Sequence, residues 1–367
     1  MKTKKDWQPF KKVLLEWFAK NQRDLPWRFT YAPYHVWISE VMLQQTQMDR
    51  SVEYFNRWIE QFPDVRSVAG ASEQVILKAW EGLGYYSRAR NIKKAALWLV
   101  DEHDGQVPDD YNQLPALPGI GPYTAAAIMS IAFNKPYPVI DANVERLFAR
   151  IGDIDQPVKQ KNVQQEIKKL AAKFLQDTMA RDFNQALMEL GALVCTPKKP
   201  KCIKCPVRSY CQAYAGGTVE KRPVAAERQK KIDIVMACTI IVHDGKIFIQ
   251  QRRDDDVWGG LWEFPGGRLK ENESPFDAAG RELLEETEFE ASNVEPFVTV
   301  THYYTRYRVT LHAHLGRING NQTPMLHAAT RYRWVTLAEL DEYPFPSGHR
   351  QVIAQMKKQT GYLKVTV

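Results

Sequence analysis

The sequence predicts a multidomain protein in which an all-α domain is followed by an α+β domain. Between residues 7 and 215, apolar residues recur at spacings of three and four, which is typical of amphipathic helices. From residue 232 onward, runs rich in Val, Ile, Thr and Tyr are bounded by turn residues, as strands are. A chain of 367 residues is long enough to form two domains with separate cores.

The predicted domains are residues 1–215 and 232–367, joined by a linker at 216–231. The linker contains two glycines, one proline and five basic residues, and we expect it to be exposed. In the second domain we expect a hairpin over residues 232–250, turning at His243-Asp244-Gly245, and a helix at about 275–287.

The composition is that of an ordinary folded protein with a moderate positive charge. Hydrophobic residues make up 44% and charged residues 25%, which excludes a disordered or collagen-like chain. The net charge of +7 suits an anionic partner such as nucleic acid. No apolar run approaches the ~20 residues that span a bilayer, and the first residues lack a secretory apolar core. We therefore expect a cytoplasmic monomer with no membrane partner.

Four of the five cysteines form a C-x6-C-x2-C-x5-C cluster. They are Cys195, Cys202, Cys205 and Cys211. Four thiolates on a short loop suit tetrahedral zinc or an iron–sulfur cluster, and spacing alone leaves both open. The residues between them are basic, so the loop either contacts a phosphate backbone or is a solvated face. Cys238 stands apart, and we expect it to be buried.

A glycine-rich string at residues 117–126, LPGIGPYTAA, is similar to a helix-hairpin-helix motif. Gly119 and Gly121 permit a tight turn and close backbone approach between two helices. The second helix would offer unpaired N–H groups to an anion such as a DNA phosphate. Asp141 follows an apolar stretch further along, where an aspartate predicts a helix N-cap.

The hairpin, the aspartate and the cysteines, in this order, resemble the endonuclease III superfamily of DNA glycosylases. The string WISEVMLQQTQ at residues 37–47 and GLGYY at 82–86 are similar to the adenine DNA glycosylase family. This resemblance implies a [4Fe–4S] cluster on the four cysteines and double-stranded DNA with an adenine mispair as partner. It also implies a monofunctional enzyme, because Tyr123 stands where bifunctional members carry a Schiff-base lysine.

The implied reaction removes adenine mispaired with 8-oxoguanine or guanine in base excision repair. Glu40, which by itself reads as an exposed helix glutamate, becomes the catalytic acid that protonates adenine N7. Asp141, ionised, stabilises the positively charged sugar or captures it transiently. By the same resemblance, Tyr123 and Asn143 position these groups and the sugar.

The resemblance also assigns residues to the opened DNA. Gln45 and Tyr85 become wedge residues where the base leaves the stack, whereas their ordinary interpretation is a polar helix face and a core aromatic. Arg28 helps to line the adenine pocket.

The C-terminal domain contains a Nudix-like box, G-x5-E-x7-R-E-U-x-E-E, in which only the late glycine is replaced, by Glu288. Glu282, Glu285 and Glu286 share one helix face and could hold Mg²⁺, or could form a charged solvated helix. The family usually loses these carboxylates. Two alternatives therefore stay open: a Nudix domain that hydrolyses nucleoside triphosphates, and a non-catalytic DNA-binding protein.

The family usually has Phe-Ser-His where this chain has Tyr304-Thr305-Arg306. The Thr305 hydroxyl could accept the N7–H of 8-oxoguanine. Arg306 instead suits the O6 and N7 acceptors of ordinary guanine, so we expect a weaker preference for the lesion.

Overall fold

The computed structural model describes residues 7–175, 179–225, 230–304 and 306–359. Its contacts divide the chain into two compact units. The N-terminal unit comprises the described residues up to Gly70 and those from Asn91 to 225. The C-terminal unit comprises Ala71–Arg90 and the described residues from 230 onward. The predicted boundaries at 215/216 and 231/232 stay predictions, and the inclusion of residues 71–90 in the C-terminal unit is a feature the sequence did not indicate.

The part of the chain up to residue 215 is helical, as predicted. Its helices are α1 (Gln8–Asn21), α2 (Pro33–Leu43), α3 (Met48–Gln61), α4 (Val65–Gly70), α5 (Glu73–Ala79), α6 (Ser87–His103), α7 (Pro122–Ala127), α8 (Ala142–Ile151), α9 (Lys161–Phe174), α10 (Ala180–Leu193) and α11 (Gln212–Ala215). Prolines in the first turn start α1, α2 and α7, where a missing N–H costs nothing. Ser72 caps α5 and Asp141 caps α8, each accepting a backbone N–H with its side chain.

The core of the N-terminal unit lies among α1, α8, α9 and α10. Phe174 is stacked on Phe10 at 5.4 Å and on Phe148 at 5.7 Å between ring centroids. Buried aromatic pairs of this kind contribute about 0.5–1.5 kcal/mol beyond the area they bury. This core fixes the start of α8 and the inner face of α10, which carry residues of the candidate site.

Part of the predicted linker is held against the N-terminal unit, although Gly216, Gly217, Glu220 and Lys221 are exposed, as expected for residues 216–231. Thr218 donates to the Asp153 carboxylate at 2.6 Å, and Arg222 pairs with the same carboxylate at 2.9 Å. One acid therefore holds two linker side chains against the N-terminal unit. Residues 226–229 lie outside the described part of the chain.

The glycine-rich hairpin does not join two regular α-helices. A three-residue 3₁₀ turn, Leu114–Ala116, precedes it, and α7 continues as a π-helical turn over Ile128–Ala132. Pro115 and Pro118 explain the short first element, because each lacks the N–H that a longer helix needs.

The C-terminal unit is a mixed sheet with helices, as predicted. The described strands are β1 (Ile232–His243), β2 (Lys246–Arg252), β3 (Trp262–Glu263), β4 (Gly266–Arg268), β5 (Ala291–Tyr304), β6 (Tyr307–Ile318) and β7 (Ala329–Val335), with helices α12 (Pro275–Thr287) and α13 (Ser347–Lys358). The order is β3-β2-β1-β6-β5, with β4 paired to β1 and β7 to β2. β1 runs parallel to β6, and the other pairs are antiparallel.

The local predictions for this unit are confirmed. Asp244 (φ 48°) and Gly245 (φ 70°) form the two-residue turn between β1 and β2. Helix α12 spans the predicted residues, and Cys238 is buried. Glu288, which replaces the late glycine of the box, adopts the left-handed conformation that favours glycine, with φ 56°. None of the helices in the described part of the chain combines the length and apolar character that crossing a bilayer requires.

Candidate active site

A cavity of about 710 Å³ in the N-terminal unit collects the four predicted catalytic residues. Glu40 comes from α2, Tyr123 from the start of α7, and Asp141 and Asn143 from the start of α8. Arg28 and Gln45 also line this cavity. Its size falls within the ~300–1,000 Å³ of small-molecule sites, which accommodates a purine nucleoside. The sequence places these side chains up to a hundred residues apart, and only the fold brings them together.

Glu40 is buried, with 4% of its surface exposed, and so differs from an ordinary helix glutamate. Burial raises its pKa to about 7, and the negative charge of Asp141 adds to this effect. A hydrogen bond from the Tyr123 hydroxyl and the charge of Arg28 act in the opposite direction. A large fraction of Glu40 is therefore protonated near neutral pH, which general acid catalysis requires.

Asp141 is bound by donors that favour its carboxylate. Its Oδ1 accepts the Val144 N–H at 2.7 Å, and its Oδ2 accepts the Asn143 amide at 2.7 Å. Burial raises the pKa of Asp141, whereas these hydrogen bonds and the charge of Arg146 lower it. Burial is the largest effect at both acids and raises both pKa values, but the Asp141 carboxylate also accepts hydrogen bonds from Val144 and Asn143, which favour its anion.

Asn143 is itself held in place from two sides. Arg146 donates to its Oδ1 at 2.8 Å and to the Cys195 carbonyl at 2.7 Å, which links Asp141 to the cysteine loop. A Cβ at Gly191 would lie 2.6 Å from the Cβ of Asn143, so only glycine fits there. The orientation of the Asp141 carboxylate thus depends on α10 and on the cysteine loop.

The sequence identified Arg28 but missed its partners. Arg28 donates to Gln185 Oε1 at 2.8 Å and pairs with Glu189 at 2.7 Å. Arg23 pairs with Glu189 at 2.9 Å, and Glu189 is 1% exposed. The sequence of α10 gave no reason to connect Gln185 and Glu189 with residue 28, because polar residues such as Asp182 and Asn184 occupy other positions of this helix.

A second group missed by the sequence separates this cavity from a neighbouring one. Glu145 is buried and accepts from Lys159 at 2.9 Å and from Gln164 at 2.6 Å. All three residues line both cavities. The second cavity, of about 780 Å³, also contains Tyr111 and Tyr137, whose rings stack at 4.6 Å. The wall between the two cavities is therefore formed in part by these three polar side chains.

The two predicted wedge residues lie in different units. Gln45 follows α2, is exposed and has a positive φ of 60°, so it does not lie on a helix face. Tyr85 also has a positive φ, of 50°, and its ring lies 5.4 Å from that of Tyr304 within the C-terminal unit. Such conformations are uncommon for non-glycine residues and occur often at functional sites.

The hairpin glycines have different structural roles. Gly119 has φ +80°, and a Cβ there would lie 2.8 Å from the Cβ of Asn91. Gly121 has φ −83°, and a Cβ there would meet no heavy atom within 4 Å. The fold therefore requires glycine at 119 but not at 121.

The four cysteines line one small cavity beneath α8. Buried Arg150 donates to the Cys195 sulfur at 3.3 Å, and the Cys211 thiol donates to the Arg150 carbonyl at 3.3 Å. Burial raises the pKa of Cys205 to about 12, and the neighbouring thiols add to this effect. Within the described residues, no three His, Cys, Asp or Glu side chains converge on a site for a single metal ion.

The carboxylates of the Nudix-like box are each bound to protein groups. Glu286 is mostly buried and accepts from the Gly266 N–H at 3.0 Å and Gln250 at 2.7 Å. Glu282 pairs with Arg281 at 2.8 Å. Glu285 is half-exposed and pairs with Arg281 at 2.9 Å. The Mg²⁺ site expected at these residues stays a prediction.

The residues expected to read the opposite base lie at the turn between β5 and β6. Tyr304 contacts both Tyr85 and Trp258, the latter at 5.8 Å between ring centroids. Thr305 lies outside the described residues. Arg306 is exposed, with its guanidinium 5.5 Å from the Tyr307 ring.

The sequence is similar to those of known DNA-repair proteins. Residues 38–173 match the HhH-GPD superfamily of base excision DNA repair proteins, and residues 236–355 match the NUDIX domain. The chain is 35% identical to the adenine DNA glycosylase of Buchnera aphidicola subsp. Acyrthosiphon pisum, over 71% of this chain and 75% of that protein. It is 32% identical to the adenine DNA glycosylase of Mus musculus, over 90% of this chain and 74% of that one.

The fold comparison extends the match to solved structures. A thermostable thymine-DNA glycosylase superimposes with a TM-score of 0.53 and 28% identity, covering 57% of this chain and 96% of that chain. The helical glycosylase fold, the cavity with its two acids and the similarity along most of the sequence lead to one conclusion: this chain belongs to the adenine DNA glycosylase family.

Proposed function

We propose that this protein, as a monomer on double-stranded DNA, removes adenine mispaired with 8-oxoguanine or guanine by acid-assisted hydrolysis. One observation carries the proposal: Glu40 and Asp141 line the same cavity. Burial raises the pKa of Glu40 to about 7, and hydrogen-bond donors surround the Asp141 carboxylate. This pairing of an acid with an anion is what cleavage of an N-glycosidic bond requires.

In the proposed reaction the adenine leaves the base stack and enters the cavity. Protonated Glu40 donates its proton to N7, which makes the purine a good leaving group. The C1′–N9 bond then breaks, its electron pair leaves with adenine, and the Asp141 carboxylate stabilises the positive charge on the sugar. Water then adds to C1′ and gives a proton to the Glu40 carboxylate, which leaves an abasic site and regenerates the acid. Tyr123 and Asn143 position the two acids, and Tyr123 provides no amine for strand cleavage.

The proposal assigns DNA contacts to residues around the cavity. Gln45 and Tyr85 act as wedges at the opened step, which their positive φ angles support. Gly119 and Gly121 contact a DNA phosphate, supported by the open space beside Gly121. Arg28 contributes to the adenine pocket.

The residues proposed to read the opposite base are Tyr304, Thr305 and Arg306. The aromatic ring of Tyr304 and the exposed cation of Arg306 support this role. Arginine matches the O6 and N7 acceptors of ordinary guanine, whereas 8-oxoguanine presents an N–H donor at N7. The preference for 8-oxoguanine should therefore be lower than with a side chain that accepts this N–H.

A panel of duplexes tests the main proposal. Adenine opposite 8-oxoguanine, guanine, cytosine or thymine is incubated with the protein, with and without alkali. We expect strand breaks only after alkali and only for the first two pairs. Glu40→Gln keeps the shape of the side chain but has no acidic proton to donate, so it should abolish these strand breaks. Excision that survives this substitution contradicts the assigned acid.

We further propose a [4Fe–4S] cluster held by Cys195, Cys202, Cys205 and Cys211. The cavity that all four cysteines line supports it. A bound cluster would hold the loop against α8. A brown colour with broad visible absorption and about four irons per chain is expected; stoichiometric zinc instead contradicts the assignment.

Mg²⁺ at Glu282, Glu285 and Glu286 is not part of the proposed reaction. Arg281 pairs with two of these acids, so a cation bound there would have to compete with its guanidinium group. Incubating the whole protein with Mg²⁺ and nucleoside triphosphates tests this view, and pyrophosphate release would overturn it.

A further inference from the structure

The segment 71–90 lies within the region that matches the glycosylase family, yet it packs in the C-terminal unit. Peptide bonds join it to the N-terminal unit at both ends, after Gly70 and before Asn91. The segment contains α5 and the turn with Tyr85, one of the proposed wedges. What fixes this segment therefore bears on how the proposed DNA contacts are arranged.

An ion pair between Glu81 and Arg350 is the centre of the packing. Two guanidinium nitrogens of Arg350 lie 2.7 and 2.8 Å from Glu81 Oε1. The same oxygen accepts the Phe345 N–H at 2.9 Å, while Oε2 pairs with Lys78 at 2.7 Å. Only 15% of the Glu81 side chain and 25% of the Arg350 side chain are exposed, so solvent screens this pair little.

Further polar contacts continue the pattern on either side. Arg350 also donates to the Tyr343 carbonyl at 2.6 Å, which ties α13 to the loop before it. The Tyr86 hydroxyl donates to the Phe345 carbonyl at 3.2 Å, and Arg90 donates to the Asp254 carbonyl at 2.8 Å. The segment is thus bound to the C-terminal domain along most of its length by directional contacts.

The segment also contributes one ring to a group of three aromatic side chains. Tyr85 lies next to Tyr304, and Tyr304 contacts Trp258. The turn has left-handed glycines at Gly82 and Gly84, and Tyr85 itself has φ 50°. This conformation is costly for a non-glycine residue and is kept only where surrounding contacts fix it.

We propose that Glu81 and Arg350 are positioning residues for recognition of the base opposite adenine: their ion pair holds the segment 71–90, and with it Tyr85, in register with Tyr304. The wedge from the glycosylase sequence and the reader from the Nudix-like domain then meet the DNA as one preassembled surface. This inference rests on the proposed function, in which Tyr85 and Tyr304 contact the opened mispair.

The experiment compares single-turnover excision of adenine opposite 8-oxoguanine with excision opposite guanine, using the whole protein. Glu81→Gln keeps an acceptor for the Phe345 N–H but removes the charge. Arg350→Gln removes the partner charge, and Arg350→Lys retains it. The matched control is Glu288→Gln, which breaks an exposed pair with His327 in the same unit. Thermal unfolding is measured for every variant.

We expect both charge-removing variants to lower the ratio of the two rates by about tenfold, which corresponds to about 1.4 kcal/mol in the activation free energy. The rate opposite guanine should fall much less. Arg350→Lys should recover most of the ratio, and Glu288→Gln should keep the ratio of the unmodified protein.

One result would overturn the inference while leaving the proposed function intact: a ratio of the two rates that stays the same in both variants. If both rates then fall together with the melting temperature, the ion pair has a role in folding alone. If the unmodified protein excises no adenine, or does so without regard to the opposite base, the proposed function fails and the inference fails with it.

Discussion

The carboxyl groups of Glu40 and Asp141 line one cavity, and the negative charge of Asp141 raises the pKa of Glu40. The anion proposed to stabilise the sugar therefore also helps to keep the acid protonated. Burial has the larger effect, and together the two raise the pKa of Glu40 to about 7, which makes the acid sensitive to each neighbouring donor.

The pH dependence of excision should reveal this acid. Because Glu40 must be protonated, we expect the single-turnover rate to fall as pH rises through about 7. Tyr123→Phe removes a donor that lowers the pKa of Glu40, so the alkaline limb should move to higher pH. Rates measured between about pH 5.5 and 9 test both points. A limb that stays in place after the substitution argues against the hydrogen bond.

Stability should change in a related way. In the folded protein Glu40 has a pKa of about 7, whereas in the unfolded chain its pKa returns to the ordinary value of 4.5. Between these values the folded state binds more protons, so the free energy of unfolding falls as pH rises. The free energy of unfolding falls by up to about 3 kcal/mol when buried Glu40 is deprotonated. Glu40→Gln has no carboxyl group to deprotonate, so it should avoid this loss and stabilise the protein at pH 8 more than at pH 5.

Urea titrations at the two pH values measure this difference. Glu16→Gln, at an exposed position of α1, is the control. An equal change in stability at both pH values would show that the buried Glu40 carboxylate does not destabilise the protein at high pH.

The hairpin glycines allow fold and DNA contact to be separated. Gly119→Ala should lower the free energy of unfolding by about 1–3 kcal/mol, because of the positive φ and the contact with Asn91. Gly121→Ala should leave stability almost unchanged but weaken DNA binding, because its Cβ points into open space that a phosphate would enter. Thermal unfolding and a DNA-binding isotherm measure the two effects. Unchanged affinity for Gly121→Ala contradicts close backbone approach.

Glu189 should contribute more to stability than an ordinary surface acid. It is 1% exposed and pairs with Arg23 and Arg28, so Glu189→Gln leaves the largely buried Arg28 without its countercharge. We expect a loss of about 3–5 kcal/mol and slower excision. The control Glu53→Gln breaks an exposed pair with Arg57 and should cost less than about 1 kcal/mol. Similar losses in both variants would refute the special role of Glu189.

Local structure was readable from the sequence because it depends on neighbouring residues. The turn at Asp244-Gly245, helix α12 and the N-cap at Asp141 follow from conformational preferences and side-chain periodicity, and all three are confirmed. The two-domain fold class and the family also followed, since they rest on motifs that are short and contiguous.

Properties that depend on distant parts of the chain required the tertiary structure. The burial that raises the pKa of Glu40 comes from packing of α2 in the fold, and the pairing of Arg28 with Gln185 and Glu189 spans more than 150 residues. The same holds for the parallel pairing of β1 with β6 and the packing of residues 71–90 in the C-terminal unit. The sequence alone determined which chemical groups this protein has and several local elements, such as α12 and the turn at Asp244-Gly245. The tertiary structure decided their burial and partners, because both depend on contacts that local preferences do not encode.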